Sequence, residues 1–322
     1  MENKHNYYDL AQMQSLNLES KISMSTRRII DWYEYYNGNV YVAISGGKDS
    51  KVLAHLCRKI YPDIELVYVD TGLDFISVKN EAYNMANLVL RPKKTFYEII
   101  KEKGYPIISK TVSHNVGIAQ NKPDGKLAKR YFSGVMTGSM FDCTRYKWLI
   151  DAPFKFSDSC CTYMKKQPSH NYSKITGKNA IVGTMADESM LRYKNWLQNG
   201  CNAYNIENPV SAPLSFWTQQ DILEYIKIHN LHIADVYGEI IEKENKLFLS
   251  GEQRTGCVFC MFGILQDSER FIRLKKIEEK RYNYIIEGGE FENGLWVPNK
   301  NGLGYWFVID WLNEHGHYNI KY

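Results

Sequence analysis

The stretch that decides the fold runs from residue 40 to residue 50 and reads Val40-Tyr41-Val42-Ala43-Ile44-Ser45-Gly46-Gly47-Lys48-Asp49-Ser50. Its first five residues form a short apolar run with β-branched members, which predicts a buried strand. The run breaks at the two glycines, and apolar residues then recur at helical spacing as far as Ile60. This part of the chain is therefore predicted to be a strand, a loop and a helix.

A second strand-to-helix unit follows directly. Residues 65–69 repeat the apolar strand pattern, stop at Asp70-Thr71-Gly72 and lead into a polar helix over about residues 75–88. Two such units in succession predict an α/β fold with a doubly wound parallel sheet. Residues 180–183 predict a further buried strand of that sheet.

The rest of the chain suggests additions at both ends of this core. Residues 1–38 are predicted to be a helical lead-in, because apolar side chains at helical spacing stop at Asn37-Gly38. Residues 39–230 are assigned to the sheet domain, with helices and loops over 91–158 and a helix over 217–228. Ser215 and Thr218 are candidate caps for that last helix. Residues 231–322 contain many aromatic residues and show only short hydrophobic patterns. They are expected to form a small carboxy-terminal subdomain.

Composition narrows the class of protein. With 44% hydrophobic and 14% aromatic residues in 322, the chain has enough apolar surface to fold. Its net charge of +4 is too small to indicate a dedicated nucleic-acid binder by itself. The polar amino terminus and the lack of a stretch of about 18 apolar residues predict neither secretion nor membrane spanning. We therefore expect a cytoplasmic protein whose seven cysteines stay reduced and serve as core residues, metal ligands or catalysts.

The loop after the first strand has the features of a phosphate site. A glycine-rich loop that opens a helix presents free N–H groups and the positive end of the helix dipole to an anion. The two glycines would permit close approach, Ser45 and Ser50 could donate hydrogen bonds, and Lys48 could offset phosphate charge. The alternative is that the two glycines form a tight turn that binds no ligand. The Lys-Asp-Ser sequence that follows them favours the phosphate site over this alternative. The Walker A spacing is absent, so cleavage at a terminal phosphate is not indicated.

Residues 45–50 resemble the SGGKDS PP-loop of the ATP pyrophosphatases, and a wider resemblance to the phosphoadenosine phosphosulfate reductase family covers about residues 39–265. The other matching segments are 69–72, 160–165, 183–192, 213–222 and 254–260. The resemblance implies an adenine-nucleotide site at which ATP is cleaved between its α and β phosphates. Met185 departs from the family pattern, since many relatives carry Arg there, and this puts in doubt recognition of sulfate or phosphate by that side chain.

The resemblance also implies which residues bind the nucleotide and which are catalytic. The expected nucleotide-binding residues are Ser45, Gly46, Gly47, Lys48, Asp49, Ser50, Asp70, Thr71, Gly72 and Gly183. The expected catalytic residues are Lys48, Asp49, Asp187, Glu188 and Arg192. Asp70 follows the second strand, and doubly wound sheets bind ligands at that edge, so we expect it to contact the nucleotide or Mg²⁺. Without a ligand, Asp70 would serve as a turn residue or a helix cap. Asp187, Glu188 and Arg192 would then lie on a solvated helix.

Four cysteines in two close pairs predict a metal site. Cys160-Cys161 and the C-x-x-C pair Cys257 and Cys260 supply four thiolates, enough for a tetrahedral metal or a cubane cluster. The family resemblance favours a [4Fe-4S] cluster, with zinc as the alternative and a dithiol redox pair less favoured. The remaining cysteines, at positions 57, 143 and 201, are expected to be buried and inert.

Three functions remain open. The leading hypothesis, by resemblance to the ATP pyrophosphatase component of DNA phosphorothioation systems, is an enzyme that adenylates an acceptor with ATP and Mg²⁺. It would act in sulfur metabolism or nucleic-acid thiolation, with a nucleic acid or a sulfur-carrier protein as the acceptor. The second is a sulfonucleotide reductase that uses a partner thiol, because no cysteine follows Cys260. The third is a non-catalytic nucleotide sensor with a structural metal site.

Overall fold

The computed structural model describes residues 4–139 and 141–322. Its α-helices are α1 (Tyr7–Gln14), α2 (Leu18–Tyr35), α3 (Lys48–Ile60), α4 (Ile76–Met85), α5 (Phe96–Lys103), α6 (Lys110–Asn121), α7 (Lys126–Phe132), α8 (Gln167–Thr176), α9 (Met190–Asn199), α10 (Gln219–Ile228), α11 (Arg270–Ile277), α12 (Glu279–Ile286) and α13 (Tyr305–Gly316). Its strands are β1 (Val40–Ile44), β2 (Leu66–Val69), β3 (Leu88–Leu90), β4 (Ile107–Ile108), β5 (Asn179–Val182), β6 (Asn202–Ala203), β7 (Val210–Ser211), β8 (Ile240–Lys243), β9 (Lys246–Leu249), β10 (Met261–Phe262), β11 (Glu290–Glu292) and β12 (Leu295–Val297).

The main sheet has the strand order β3-β2-β1-β5-β7-β6. Its first five strands are parallel, and β6 is an antiparallel edge strand beside β7. After β1 the chain adds β2 and β3 on one side of β1, and it later adds β5 on the other side. The order of strands therefore reverses between β1 and β5. The predicted α/β fold with a mostly parallel, doubly wound sheet is confirmed.

The buried helix faces follow the apolar spacing of the sequence. In α3, Val52, Leu53, Leu56 and Cys57 are each at most 2% exposed and pack in the same core as β1 and β2. The lead-in helix α2 ends where the sequence predicts, because Asn37 and Gly38 adopt positive φ values of 48° and 76°. Of the two candidate caps for α10, Thr218 is the one used, since its side chain accepts a hydrogen bond from the Asp221 N–H.

The described chain divides into two compact units. Unit 1 contains the described residues up to Arg91 together with Pro168–Thr255, and unit 2 contains Pro92–Gln167 and Gly256–Tyr322. Unit 1 therefore holds the main sheet and the lead-in helices, whose Leu10, Ile29 and Trp32 belong to the sheet's core. The boundaries of these units differ from those of the contiguous segments expected from the sequence. Strand pairing joins stretches that are far apart in the chain.

Unit 2 illustrates this interleaving. Its strands β4 and β10 pair in parallel, with Ile107 opposite Met261 and Ile108 opposite Phe262. Apart from β4, the described residues of 91–158 form helices and loops, as the sequence predicts, including a 3₁₀ helix over Thr144–Asp151. None of the described helices is both long and apolar enough to cross a membrane.

Candidate functional site

The carboxyl ends of three neighbouring strands bring the predicted nucleotide segments of unit 1 to one edge of the sheet. Ile44 of β1 pairs with Tyr68 of β2, and Ala43 pairs with Val182 of β5. The loops that begin at Ser45, Asp70 and Gly183 therefore leave the sheet side by side, at the point where the strand order reverses. Ligands of doubly wound sheets bind at such a point.

At position 46 the loop between β1 and α3 has room only for glycine. Gly46 has φ 73°, and a Cβ there would collide with the Val78 carbonyl and lie 2.9 Å from Cβ of Ala82. A Cβ on Gly183 would lie 3.1 Å from the carbonyl oxygen of Asp49, so β5 and the start of α3 pass each other closely. The three glycines at 46, 47 and 183 thus let the backbone around the helix start pack tightly.

The two serine hydroxyls of the loop are engaged within the loop itself. The Ser45 N–H donates to Ser50 Oγ at 3.1 Å, and Ser50 Oγ donates to the Gly47 carbonyl at 2.9 Å. Ser45 Oγ lies 3.2 Å from Ser50 Oγ and 3.4 Å from the Gly47 nitrogen. In this structure the serines therefore fix the shape of the loop, and their contact with phosphate remains a prediction.

Lys48 and Asp49 form an ion pair at the start of α3, in which the lysine is buried and the aspartate is partly exposed. Lys48 is 2% exposed, and its Nζ lies 3.2 Å from Asp49 Oδ1 and 3.4 Å from Oδ2. Asp49 Oδ1 is nevertheless enclosed without a hydrogen-bond partner in the described part of the chain. A buried carboxylate oxygen in that state is an acceptor that a cation or a donor could satisfy.

Sequence reasoning missed two side chains beside this helix start. Tyr237, from a 3₁₀ turn at Asp235–Tyr237, accepts a hydrogen bond from the Lys48 N–H at 3.2 Å. Its hydroxyl also lies 2.5 Å from Thr255 Oγ1, and Lys48 Nζ lies 5.6 Å from the centre of its ring. Burial raises the pKa of Tyr237 to about 12, so the hydroxyl stays protonated at neutral pH.

Asp70 is held as a carboxylate at the end of β2. Its Oδ1 accepts the Gly72 N–H at 3.0 Å, and its Oδ2 accepts the Tyr83 hydroxyl at 2.7 Å and lies 3.0 Å from Lys79 Nζ. Burial alone would raise the pKa of Asp70, but these hydrogen bonds and the Lys79 charge hold it below its usual value. The Asx turn expected as an alternative role is therefore present, together with a preserved negative charge.

The segment after β5 places Arg192 near the start of α3. Asp187 accepts a hydrogen bond from Gln14 Nε2 at 2.7 Å, whereas Glu188 pairs with Arg192 and accepts the Met185 N–H at 2.8 Å. Burial lowers the pKa of Arg192, and the charge of Asp49 opposes this effect. Met185, at the position where the family pattern has Arg, is 3% exposed and packs in the core.

The four predicted cysteine ligands all belong to unit 2. The hydrogen bond with Cys161, burial, and the charges of Cys161, Cys260 and Cys257 raise the pKa of Cys160. The hydrogen bond from Cys160 lowers the pKa of Cys161 to about 6 despite burial, with help from Lys110. Burial first, then the charge of Cys257, raises the pKa of Cys260 to about 12. The charges of the two cysteine pairs therefore act on one another.

The turn at Cys257 is closed by a hydrogen bond from the Cys260 N–H to the Cys257 carbonyl at 3.0 Å. Within residues 4–139 and 141–322, however, no group of three or more His, Cys, Asp or Glu side chains lies within reach of one metal ion. The donor chemistry of four thiols fits a thiolate-held metal or cluster. The present spacing does not draw them into one coordination shell. Cys57, Cys143 and Cys201 are buried, as predicted.

Solved structures and relatives offer a broader comparison. A phosphoadenylyl-sulfate reductase from Candida auris aligns over 76% of this chain and all of its own, with a TM-score of 0.40 and 13% identity. An NH3-dependent NAD synthetase from Campylobacter jejuni aligns over 67% of this chain and 75% of its own, with a TM-score of 0.34 and 13% identity.

Among curated relatives, an uncharacterized protein of Methanocaldococcus jannaschii is 23% identical over 84% of this chain, which spans only 52% of that protein. An adenosine 5'-phosphosulfate reductase of Oceanobacillus iheyensis is 22% identical over 75% of this chain and 80% of its own length. The model of the phosphoadenosine phosphosulfate reductase domain matches residues 39–111 and 128–261, which is more than half of the chain. The chain therefore belongs to the phosphoadenosine phosphosulfate reductase family.

Proposed function

We propose that this protein binds ATP and Mg²⁺ at the loop between β1 and α3, and transfers AMP to an acceptor with release of pyrophosphate. The observation that carries the proposal is the enclosed Asp49 Oδ1, which has no hydrogen-bond partner in the described residues although Lys48 lies beside it. A bound divalent cation would satisfy that oxygen. Of the two candidate nucleotides, ATP and adenylyl sulfate, ATP is the one whose cleavage needs a divalent cation. The SGGKDS sequence supports the same choice.

In the proposed reaction a nucleophilic oxygen, nitrogen or sulfur of the acceptor attacks the α-phosphorus of ATP. The bond from that phosphorus to the oxygen that bridges the α and β phosphates breaks, and its electron pair leaves with pyrophosphate. Lys48 and the N–H groups at the start of α3, of which that of Lys48 now donates to Tyr237, would stabilise the negative charge on the leaving group. Arg192 would offset charge at the α-phosphate.

The carboxylates of Asp49 and Asp70 are the residues that would hold Mg²⁺. Asp49 lies in the first turn of α3 and Asp70 follows β2, so both residues lie at the same edge of the sheet. The hydrogen bonds of Asp70 keep it ionised. Hard cations such as Mg²⁺ prefer carboxylate oxygens. When bound, Mg²⁺ would supply a positive charge that offsets the phosphates. Asp187 and Glu188 would act indirectly, since their described contacts are with Gln14, Arg192 and Met185.

We further propose that Cys160, Cys161, Cys257 and Cys260 hold a [4Fe-4S] cluster, with zinc as the alternative. Support comes from the presence of four thiols in one unit and from the low pKa of Cys161, since thiolates are the metal-binding form. A cluster there would supply redox or sulfur-binding chemistry. Iron, zinc and acid-labile sulfide measured on protein purified without oxygen test this. Stoichiometric zinc without iron or sulfide would contradict the cluster.

A second candidate is reduction of adenylyl sulfate by a partner dithiol, and the relatives named adenosine 5'-phosphosulfate reductase favour it. One partner thiolate would attack the sulfur, the bond from sulfur to the phosphate oxygen would break, and AMP would leave. The second partner thiol would then release sulfite and form a disulfide, so that the dithiol supplies both electrons. In either case we place the protein in the cytoplasm, where such thiols are kept reduced.

One anaerobic experiment separates these candidates. The protein is incubated with ATP, Mg²⁺ and hydrosulfide as a model acceptor, and in parallel with adenylyl sulfate and dithiothreitol. AMP and pyrophosphate from the first mixture support adenylation, whereas sulfite and AMP from the second support reduction. Nucleotide binding without products in either mixture would favour a sensor and contradict both enzymatic proposals. A Lys48→Met variant should lose the product that the wild type forms.

A further inference from the structure

The positive charge of the chain is concentrated in one stretch of unit 2. Residues 122–155 contain seven Lys and Arg side chains against three Asp, a surplus of four that equals the net charge of the whole chain. The rest of the chain therefore carries as many acidic as basic side chains. The stretch runs from the end of α6 through α7 and the 3₁₀ helix Thr144–Asp151. Such a local surplus attracts anions although the chain as a whole is nearly neutral.

Hydrogen bonds hold the parts of this stretch together. The Cys143 N–H donates to the Tyr131 carbonyl at 3.1 Å, which joins the start of the 3₁₀ helix to the end of α7. Asn115 Nδ2 of α6 donates to the Phe141 carbonyl at 3.2 Å and to Cys143 Sγ at 3.3 Å. The basic side chains of α7 and of the 3₁₀ helix therefore lie on either side of one junction. We call this region the α7 surface and define it by Lys126, Arg130, Phe141, Arg145 and Trp148.

The basic side chains of α7 are exposed and are barely neutralised by acids. Lys126 and Arg130 are four residues apart and therefore share one face of the helix. No ion pair of either is found among the described residues, and Arg130 Nε donates to Met136 Sδ at 3.3 Å, a weak acceptor. Lys129 Nζ lies 3.5 Å from Asp124 Oδ1, but both side chains are largely exposed, and exposed pairs are weak.

Arg145 and Trp148 place a cation beside an aromatic ring on the 3₁₀ helix. Side chains three apart in such a helix lie above one another, and its rise of about 2 Å per residue separates these two by roughly 6 Å. Arg145 is exposed, with its guanidinium 4.6 Å from the centre of the Tyr146 ring. Hydrogen bonds from Thr144 first, and the charge of Arg145 last, lower the pKa of Asp142. In the described residues, however, Arg145 and Asp142 form no ion pair.

Aromatic and apolar side chains are exposed among these charges. Phe141 is 45% exposed, and Leu127 and Val135 are 47% and 78% exposed. Trp148 is partly exposed and stacks on Trp311 with ring centroids 5.3 Å apart. A single exposed apolar side chain is ordinary, but several in one short stretch indicate a contact surface. The α7 surface therefore differs from a merely solvated charged face.

We propose that the α7 surface binds a single-stranded nucleic acid, with phosphates on Lys126, Arg130 and Arg145 and bases against Phe141 and Trp148. Proteins bind single strands by combining positive charge along the backbone with aromatic side chains on which bases stack. A duplex offers the phosphates but keeps its bases paired, so the exposed rings favour a single strand. The proposal concerns unit 2 and does not rest on cleavage of ATP.

An anionic membrane is the other polyanion that exposed apolar and basic side chains could meet. Helices that lie in a membrane surface present a long apolar face with basic residues opposite. Helix α7 has seven residues, of which Ala128 and Phe132 are buried in the protein. The exposed rings belong instead to the segment after α7 and to the 3₁₀ helix. The arrangement therefore favours stacking of bases over insertion into lipid.

The test measures binding of a fluorescein-labelled oligothymidylate of about 12 nucleotides to the full chain, by fluorescence anisotropy without ATP and at several salt concentrations. Lys126→Ala/Arg145→Ala should weaken binding about tenfold. It should also reduce the slope of log affinity against log salt by about 1.4, since each lost phosphate contact removes about 0.7. The matched control Lys243→Ala/Lys246→Ala removes the same charge from the exposed β8–β9 hairpin of unit 1 and should change affinity less than about twofold.

Phe141→Ala separates base stacking from charge. It should weaken binding about fivefold or more with an unchanged salt slope, because it removes a ring but no phosphate contact. Phe291→Ala removes a ring of β11 that is 56% exposed, and this matched control should change affinity less than about twofold. The substituted side chains are exposed, so the melting temperatures should change little.

A duplex of the same length should bind more weakly than the strand. Absence of strand binding at low salt, equal losses in the two double variants, or wild-type affinity in Phe141→Ala would overturn the proposal. Tighter binding to vesicles that contain anionic lipid than to the strand would assign the α7 surface to a membrane and would also overturn it. Because ATP is absent, a failure of the proposed adenylation would not affect these results.

Discussion

The hydroxyl of Tyr237 accepts the hydrogen bond of the Lys48 N–H, the first donor of α3, at 3.2 Å. A phosphate bound at this helix start would use the same N–H group. The tyrosine hydroxyl therefore stands where a phosphate oxygen is expected, and Thr255 at 2.5 Å holds it there. A nucleotide bound here, as we propose, would displace or rearrange this contact.

Tyr237→Phe should reveal that competition. The variant leaves the Lys48 N–H without its partner, so the free protein should lose about 1 kcal/mol of stability. The nucleotide-bound protein should lose less, so the affinity for ATP should rise up to about fivefold by linkage. Thermal melts and calorimetric titration measure both effects. Tyr33→Phe, which alters a ring stacked on Tyr61, is the control; unchanged affinity in Tyr237→Phe would contradict the competition.

Lys48→Met should weaken ATP binding about tenfold or more, because it removes a charge-assisted contact to phosphate while keeping the alkyl chain. The sequence alone suggests little effect on folding, but Lys48 is buried and paired with Asp49. Some loss of stability is therefore expected as well. Lys59→Met, from the exposed side of the same helix, should change neither property. Equal ATP affinity in Lys48→Met and wild type would remove the loop from the site.

Asp70→Asn should destabilise the protein at neutral pH, and the deficit should shrink in acid. The pKa of Asp70 is held below its usual value in the fold, so its contribution is present above the unfolded pKa of about 4. That contribution is lost as pH falls through the lower folded pKa. We expect a difference of about 1–2 kcal/mol at pH 7. Melts of both proteins between neutral pH and about pH 3 check this; a difference that does not vary with pH would refute it.

Cys257→Ser should lower both the metal content and the melting temperature of anaerobically prepared protein. A metal held by both cysteine pairs would join segments nearly a hundred residues apart, which constrains the unfolded chain by several kcal/mol, metal affinity included. Cys143→Ser should be milder, since that buried thiol accepts a hydrogen bond from Asn115 Nδ2 at 3.3 Å and is not among the predicted metal ligands. Retained metal and melting temperature in Cys257→Ser, with loss of both in Cys143→Ser, would show that the ligands are misassigned.

The sheet and its loop could be predicted because their signals are local. The apolar run at 40–44 and the glycines at 46 and 47 determine a strand and a tight helix start within a few residues. Tyr237 could not be found in this way, because 189 residues separate it from Lys48. The two-residue strands β4 and β10 are likewise too short to leave a periodic signal, and their pairing exists only in the folded chain.

The nucleotide and metal residues remain predictions for a different reason. The sequence supplies chemically suitable side chains, and the fold brings those of unit 1 to one edge of the sheet and places both cysteine pairs in unit 2. Whether Ser45 and Ser50 leave their loop hydrogen bonds for a phosphate depends on a ligand, and local pattern carries no information on that exchange. Met185, where the sequence departs from the family pattern, packs in the core of unit 1.

The chain passes between the two units after residues 91, 167 and 255. Neither unit is therefore encoded by one continuous stretch of the gene, and no single truncation can release either one intact. A fragment that stops at residue 230 would lose the β8–β9 hairpin and Tyr237 from unit 1, and the Cys257 turn from unit 2. Dissection of this protein by shortening the gene would damage both units, so its parts are better studied by point substitution in the full chain.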